Sequence, residues 1–462
     1  MTLRREILRL ALPSILANLT VPLVGMVDLA VAGHLPGGSA AALIGGVSIG
    51  SMLFDLLYWN FAFLRTGTGG LTAQTYGELR AAGALDTGHI PDALGAILGR
   101  ALRIALLSGA ALIALQWVVV KLAFLVVTCS PEVQALATRY FYLRIWAAPA
   151  TLALFAFKGW FIGLQDSVRP MTADLLVNGL NIGLSIGLGL ELGFPGIALG
   201  TVIAQWTGLG YCLLAALRRY RAFSIRPKLL ITRLFQNPIG ASGADKMFHA
   251  LNRDLFLRSV GMIAVYIGFT VISARFGDLM LAVSAILMKF LMVFSYFTDG
   301  FAYAGEALTG RFIGERSATG LRTAVRETFA MALGVAALFM GVYAAAGVPL
   351  LRLMTPDAAV IQAGEQFLPW LLLMPLVGCP AFTWDGIFIG ATAGADLRNS
   401  TLLCAVGFFG VWLAGRALQG PDTSPEAAIH LLMGAYFVHL AIRALYLSLR
   451  SRAAIFSGIS SR

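Results

Sequence analysis

Apolar stretches of about 20 residues recur from one end of the 462-residue sequence to the other. A helix of that length crosses a hydrocarbon core of about 30 Å, and lipid obliges every backbone polar group to be satisfied internally. The runs are continuous and do not alternate, which excludes a β-barrel. Composition agrees: 58% of residues are hydrophobic and 12% charged, against about 25% charged in soluble domains. The expected fold class is therefore an all-α polytopic membrane protein. Twelve spans are predicted near 8–33, 40–77, 95–127, 132–164, 169–191, 194–217, 249–275, 278–312, 321–350, 357–392, 397–417 and 427–449. The opening MTLRREILRL precedes an apolar run from Ala11 to Ala32 that is too long for a signal h-region of about 7–15 residues. It is read as the first span.

Positive charges set orientation. With the N-terminus inside, the inner segments collect Arg80, Arg100, Arg103, Arg169, Arg311, Arg316, Arg322, Arg398, Arg450 and Arg452, while the outer loops hold Arg275, Arg352 and Arg416. The net charge of +11 is then mainly a topology signal. Nucleic acid is not an expected partner, and both termini are expected in the cytoplasm, with the chain in the cell's inner membrane.

A basic connector, residues 218–248, carries Arg218, Arg219, Arg221, Arg226, Lys228, Arg233 and Lys246 and separates two lobes, 1–217 and 249–462. The lobes repeat. LTAQTYGE from Leu71 aligns with LTGRFIGE from Leu308 at an offset of 237 residues, and GWFIG at Gly159 aligns with GIFIG at Gly386. Six spans return the chain to the same side, so the halves are parallel repeats about an axis along the membrane normal. Two similar six-helix bundles with a cleft between them make an alternating-access transporter. Small residues at spacing four (Gly46/Gly50, Gly95/Gly99, Gly183/Gly187, Gly196/Gly200) read as sites of close helix packing.

Enzyme chemistry is not expected. Cys129, Cys212, Cys379 and Cys404 are scattered without a CxxC pair, and the five histidines lack ligand spacing. There is no phosphate-binding GxxxxGK[ST] loop. GVSIG at Gly46 formally matches a nucleophile elbow but lies in a membrane helix with no strand before it. No metal site and no cofactor beyond a coupling ion are expected.

Several segments carry a family likeness: ALPSILANLTVPLVGMVDLAVAGHL in the first span, FLRTGTGGLTAQTYGE ending the second, LNRDLFLRS opening the seventh, FSYFTDGFAYAGEALTG in the eighth, and LPWLLLMPLVG, DGIFIGAT and LRNS around the tenth. In this order, over nearly the whole chain, they resemble the MATE (multidrug and toxic compound extrusion) transporters, and within them the DinF-like branch. The resemblance implies two six-helix lobes related by a pseudo-two-fold axis around a V-shaped cleft. It implies export of organic cations or amphipathic drugs, coupled to an inward flow of protons or sodium. Membrane lipid is the other expected partner, and a monomer the expected state. The family's key acid matches Asp28. The alternative is a flippase or exporter of a lipid-linked or amphipathic metabolite in the same superfamily. Such a protein would favour a cationic cavity, whereas the second lobe here is rich in acids. A major-facilitator transporter is disfavoured, because no GxxxDRxGR[RK] loop follows the second span.

An ionised carboxylate at the bilayer centre costs about 2.5–3.5 kcal/mol, so each one demands a reason. Asp28 follows Pro22 near the C-terminal end of the first span, where the helix dipole disfavours an acid. Burial and dipole both favour its protonated form, which suits a group that takes a proton from one side and releases it to the other. Asp174, Asn178, Asn181 and Ser185 lie at i, i+4, i+7 and i+11, on one face of the fifth span. Relatives end the NxxNxxxD pattern in aspartate, and here NGLNIGLS places Ser185 there. A two-carboxylate network is thereby lost and a sodium site loses a charged ligand, so proton coupling is preferred to sodium. Asp174 is either the replacement or an ordinary acid in the helix's first turns. Thr201 is a further candidate partner.

In the second half Asp299, Tyr303 and Glu306 form a stripe, and Asp385 adds a third acid. They are read as an anionic lining for lipophilic cations, with Tyr303, Phe388 and Trp384 offering cation–π contact; the competing reading has these acids joining helices by internal hydrogen bonds. Lys158 occupies the turn equivalent to Asp385. A buried ammonium must find a carboxylate or lose its proton. Its candidate partners are Asp385 across the lobes and Asp55, and snorkelling is the remaining option.

Overall fold

In the computed structural model, residues 2–35, 39–85, 92–127, 129–219, 243–420 and 423–457 are described. Most of connector 218–248, with Arg221, Arg226, Lys228 and Arg233, lies outside them. The described residues form helices and no strands. Among the described residues twelve helices are long and apolar enough to cross a membrane: Leu3–His34, Ala40–Ala81, Ala93–Ala114, Pro131–Gly163, Val168–Leu192, Phe194–Arg218, Lys246–Ala274, Asp278–Gly314, Ala318–Met354, Leu368–Gly390, Gly394–Gln419 and Pro425–Phe456. They are called spans one to twelve below.

Local chemistry sets several ends and breaks. The Ser130 and Ser424 hydroxyls accept from the backbone N–H groups of Val133 and Ala427, with Pro131 and Pro425 in the first turn where no N–H is needed. The third span, expected as one helix to residue 127, breaks at Leu115 between Asp92–Ala114 and Gln116–Val126. The tenth, expected from residue 357, is preceded by a separate helix Ala358–Glu365, and restarts at Leu368 with Pro369 in its first turn. Span four is interrupted by a 3-10 turn at Ile145–Ala147, just before Pro149. The Trp146 carbonyl exposed by this break accepts from Trp206 Nε1 at 3.1 Å.

The helices group into two units. One is Leu16–Phe248; the other is His249–Arg462 together with Met1–Ile15. The first fifteen residues thus pack with the C-terminal unit, against the expectation that 1–217 is one lobe. Their anchors are visible: Arg311 Nη1 donates to Glu6 at 2.5 Å, Arg4 Nε to Glu327 at 2.5 Å. Gly300 lies against Ala11 and Ile15, where an added Cβ would come 2.5 Å from Ile15.

Inside each unit the same helices meet. Spans 2 and 4, 3 and 4, 5 and 6, and 4 and 6 pack together in the first unit; 8 and 10, 9 and 10, 11 and 12, and 10 and 12 do so in the second. The repeat extends to single atoms. A Cβ on Gly159 would lie 2.0 Å from the Arg65 carbonyl oxygen, and one on Gly386 would lie 2.0 Å from that of Ala302. Residues 65 and 302 differ by 237, the offset of LTAQTYGE and LTGRFIGE, while Gly159 and Gly386 differ by 227. GxFIG therefore marks a backbone-to-backbone helix crossing, which only a residue without a side chain permits. Gly196 and Gly200 make a similar crossing between spans 5 and 6, whereas Gly99, Gly183 and Gly187 face open space.

Candidate functional site

The first unit holds a polar cluster around Asp28. The carboxyl is 3% exposed, Asn181 2%, Ser185 0% and Thr201 4%. Asn181 Nδ2 donates to Thr201 Oγ1 at 2.8 Å, and Asn178 Nδ2 to Thr20 Oγ1 at 2.6 Å, two turns before Asp28 in the same helix. Ser185 faces the Asp28 carboxyl. Asp28 Oδ1, Asn181 Oδ1 and Ser185 Oγ are buried without a protein hydrogen-bond partner of normal geometry. Oxygens this deep without such partners are costly. The fifth span supplies both amides and the serine from one face, while Gly200 lets the sixth span approach Ser185, where an added Cβ would stand 2.8 Å from its backbone nitrogen.

Asp174 does not join this cluster. It forms an ion pair with Lys158, near Cys212 of the sixth span. This overturns the expected Lys158–Asp385 pair and leaves Asp174 no part in replacing an acid at Ser185. The reason is proximity: the ammonium finds a carboxylate on a helix of its own bundle, and an intramembrane charge is stabilised by the partner that costs least to reach.

Asp385 is engaged as well. Arg258 Nη2 donates to its Oδ2 at 2.7 Å and Arg443 Nε to its Oδ1 at 3.0 Å, with a second contact from Arg443 Nη2. The side chains of Arg258, Asp385 and Arg443 are 12%, 12% and 3% exposed. Asp299 accepts from Ser295 Oγ at 3.5 Å and its charge reaches Arg443. The expected anionic lining is thus a balanced cluster of two guanidinium groups and two carboxylates.

Three other expected contacts fall differently. Phe388 is 0% exposed and fills the core. Glu306 is also 0% exposed, on the turn whose carbonyl meets Gly390 at the crossing of spans 8 and 10. Trp384 donates to Ser448 Oγ at 2.8 Å and packs edge-on against Phe329, so its ring is held between helices of its own unit. Tyr303 is half-buried on the same stripe.

Sequence reading missed three basic residues. Arg258 and Arg443 lie within apolar runs, as does Arg144 at the break in span four. The signal was available, since an intramembrane arginine calls for a partner as an acid does. Arg144 Nη1 donates to Ser51 Oγ at 3.1 Å and to Tyr140 OH at 3.0 Å, and its guanidinium lies 4.8 Å from the Phe54 ring centre.

The MatE family model matches residues 13–186 and 255–410, which takes in both halves and Asp28, Asn181 and Ser185 of the polar cluster, though not Thr201. The chain belongs to the MATE family. It is 35% identical over 441 residues to DNA damage-inducible protein F of Escherichia coli (strain K12), covering 95% of this chain and 90% of that one. Protein DETOXIFICATION 44, chloroplastic, of Arabidopsis thaliana is 23% identical over 410 residues, covering 84% and 72%. Among solved structures, a MATE protein in the bent conformation superposes with a TM-score of 0.82 at 18% identity, over 99% of this chain and 97% of that one. An outward-facing multidrug resistance MATE family transporter gives 0.79 at 19% identity, over 100% and 98%. These structural likenesses establish the MATE fold.

Proposed function

We propose that this MATE protein is a proton-coupled antiporter that exports amphipathic small molecules, chiefly organic cations, by alternating access. The observation that carries the reading is the Asp28 cluster: one carboxylate, deeply buried and facing neutral Ser185, Asn181 and Thr201. Among the described residues no three or more His, Cys, Asp or Glu gather as a metal site. A proton needs one carboxylate oxygen, whereas sodium needs several oxygen ligands and, in lipid, compensating charge. One solved structure of the same fold is that of a multidrug resistance MATE family transporter, which supports the export reading.

In this cycle Asp28 takes a proton from outside, the first span repacks near Pro22, and substrate leaves outward. Reorientation returns the proton to the cytoplasm. Exchange of one proton for one monovalent cation moves no net charge, so the membrane potential, about 2.3 kcal/mol per charge per 100 mV, adds nothing and only the pH difference drives export. The chain resides as a monomer in the cell membrane with both termini cytoplasmic.

A second reading, export of an amphipathic metabolite bearing an acidic group, is favoured by the two arginines on Asp385. The deciding experiment is efflux of cationic and anionic dyes from proteoliposomes under separately imposed proton and sodium gradients. Proton-driven efflux of cationic dyes that is lost in Asp28→Asn, with the variant still folded, is the expected result. Full coupled transport in that variant, or transport driven by sodium alone, refutes it.

A further inference from the structure

Spans one and five lie side by side in a single register. Asn178 Nδ2 donates to Thr20 Oγ1 at 2.6 Å, and an added Cβ on Gly189 would stand 2.7 Å from Val31. Both pairs are 158 residues apart, so the helices run parallel and Asp28 lies level with Ser185 and Ile186. By the same register Asp174 lies level with Leu16, about 18 Å from Asp28 toward the start of both helices. Between these two acids the face of span five carries Asn181 and Asn178. Neighbours on this face are three or four residues apart, about 5–6 Å. Two hydrogen bonds of about 2.8 Å cover such a gap, so one water bridges each step. Thr20 and Thr201 pin the two amides that would hold these waters in line.

The ion pair of Asp174 with Lys158 ends the stripe. Lys158 stands near the end of span four and Asp174 near the start of span five, about 7–9 Å from the turn 164–167 that joins them. Exposure rises along the way: Asp28, Ser185 and Asn181 are buried, Asn178 is half-buried, and the side chains of Lys158 and Asp174 are 24% and 21% exposed. Stability does not account for the pair. Each charge costs about 2.5–3.5 kcal/mol to place in the membrane, and apolar residues of similar volume often replace a buried pair without loss.

We propose that Asp174 is a proton relay for the coupling reaction: the last protein group through which the proton of Asp28 reaches the cytoplasm, with Lys158 holding its carboxylate at the mouth of the stripe. The inference rests on Asp28 being the coupling acid and on the turn 164–167 facing the cytoplasm. The O–H bond of Asp28 breaks, and its proton passes to a water held by Ser185 and Asn181. Each water accepts one proton and gives up another, until an O–H bond forms on Asp174 and its pair with Lys158 opens. That bond then breaks toward cytoplasmic water and the pair re-forms. One proton has crossed the stripe, Lys158 has kept its charge, and nothing has been oxidised. The amides position the waters and do not themselves carry the proton.

The test measures two activities in the same proteoliposomes. Dye efflux driven by a proton gradient needs proton release on every turn; dye-for-dye exchange at equal pH needs none. Asp174→Asn is expected to slow driven efflux by roughly a hundredfold, the lower end for a positioned proton-transfer group, while exchange continues. Asp174→Glu, which keeps a carboxylate, is expected to recover most of the driven rate. Where Asp174→Asn does not accumulate, Lys158→Met combined with Asp174→Leu removes the pair without stranding a charge, and the same split between the two activities is expected. Asn178→Leu interrupts the stripe with the pair intact and is expected to slow driven efflux as well. Driven efflux at the wild-type rate in Asp174→Asn, in the double variant or in Asn178→Leu overturns the proposal. So does an equal loss of both activities with no recovery in Asp174→Glu, the signature of a purely structural tie. Full proton-driven efflux in Asp28→Asn instead overturns the coupling role of Asp28, on which the inference depends.

Discussion

An Asp385→Asn variant keeps the side chain's shape and removes the charge that Arg258 and Arg443 share. Two guanidinium groups, 12% and 3% exposed, would then lose the carboxylate they share. Each charge-assisted contact is worth roughly 1.5–3 kcal/mol, so two amount to about 3–6 kcal/mol. That agrees with about 3–5 kcal/mol for deleting one partner of a buried pair. For a domain of this size about 2–4 °C is lost per kcal/mol, so the unfolding midpoint in detergent should fall by roughly 6–20 °C. Arg443→Met, which leaves Arg258 and Asp385 paired one to one, is expected to cost about half as much. Replacing all three with Leu, Met and Met should recover most of the loss, because apolar groups of similar volume substitute well for buried ions. Intrinsic fluorescence on heating measures each midpoint. An Asp385→Asn protein that melts with wild type yet fails to transport would refute the reasoning and return Asp385 to direct substrate contact.

Gly386→Ala and Gly159→Ala should each destabilise by about 1–3 kcal/mol or more, since the new Cβ would fall 2.0 Å from a carbonyl oxygen; Gly183→Ala, facing open space, should leave the midpoint within about 2 °C or raise it slightly. Lys158→Met strands Asp174 and is expected to cost about 3–5 kcal/mol, with Asp174→Leu added to it restoring most of the stability. A thermal-shift series measures all of these. Equal melting of Lys158→Met and wild type would argue that the pair is not maintained in the folded protein.

The spans were legible because a helix must cross a fixed thickness of hydrocarbon, and length and hydropathy report that directly. The repeat was legible because GxFIG marks a crossing where only glycine fits, and the second half keeps it. Charge partners were not. Sequence places Lys158 and Asp385 in equivalent turns but does not say which neighbouring helix each will face. The answer came from side chains on other helices: Asp174 of the next span for the lysine, Arg258 and Arg443 for the aspartate. The fifth span's stripe was read correctly as a face, yet its two ends do different work. Asn181 and Ser185 lie with Asp28, while Asp174, near the start of the same helix, neutralises Lys158. Arg144 escaped attention because a basic residue near a helix break resembles a span end, and the break itself has no signature beyond Pro149.

The first span belongs to both units. Its opening turns are fastened to the C-terminal unit through Glu6 and Arg311, whose side chain is 5% exposed, and its later turns carry Asp28 among the residues of the N-terminal unit. The duplication written in the sequence and the blocks formed in space are consequently out of register. A C-terminal half synthesised alone from residue 249 would lack the Glu6 carboxylate that pairs with Arg311, keeping only the longer Glu315 contact, and the apolar turn that fills the notch at Gly300. The N-terminal half would begin with fifteen residues deprived of the unit they pack against. Splitting the chain in the basic connector thus severs it where it is covalently convenient, while the seam along which it folds runs between Ile15 and Leu16, inside a helix.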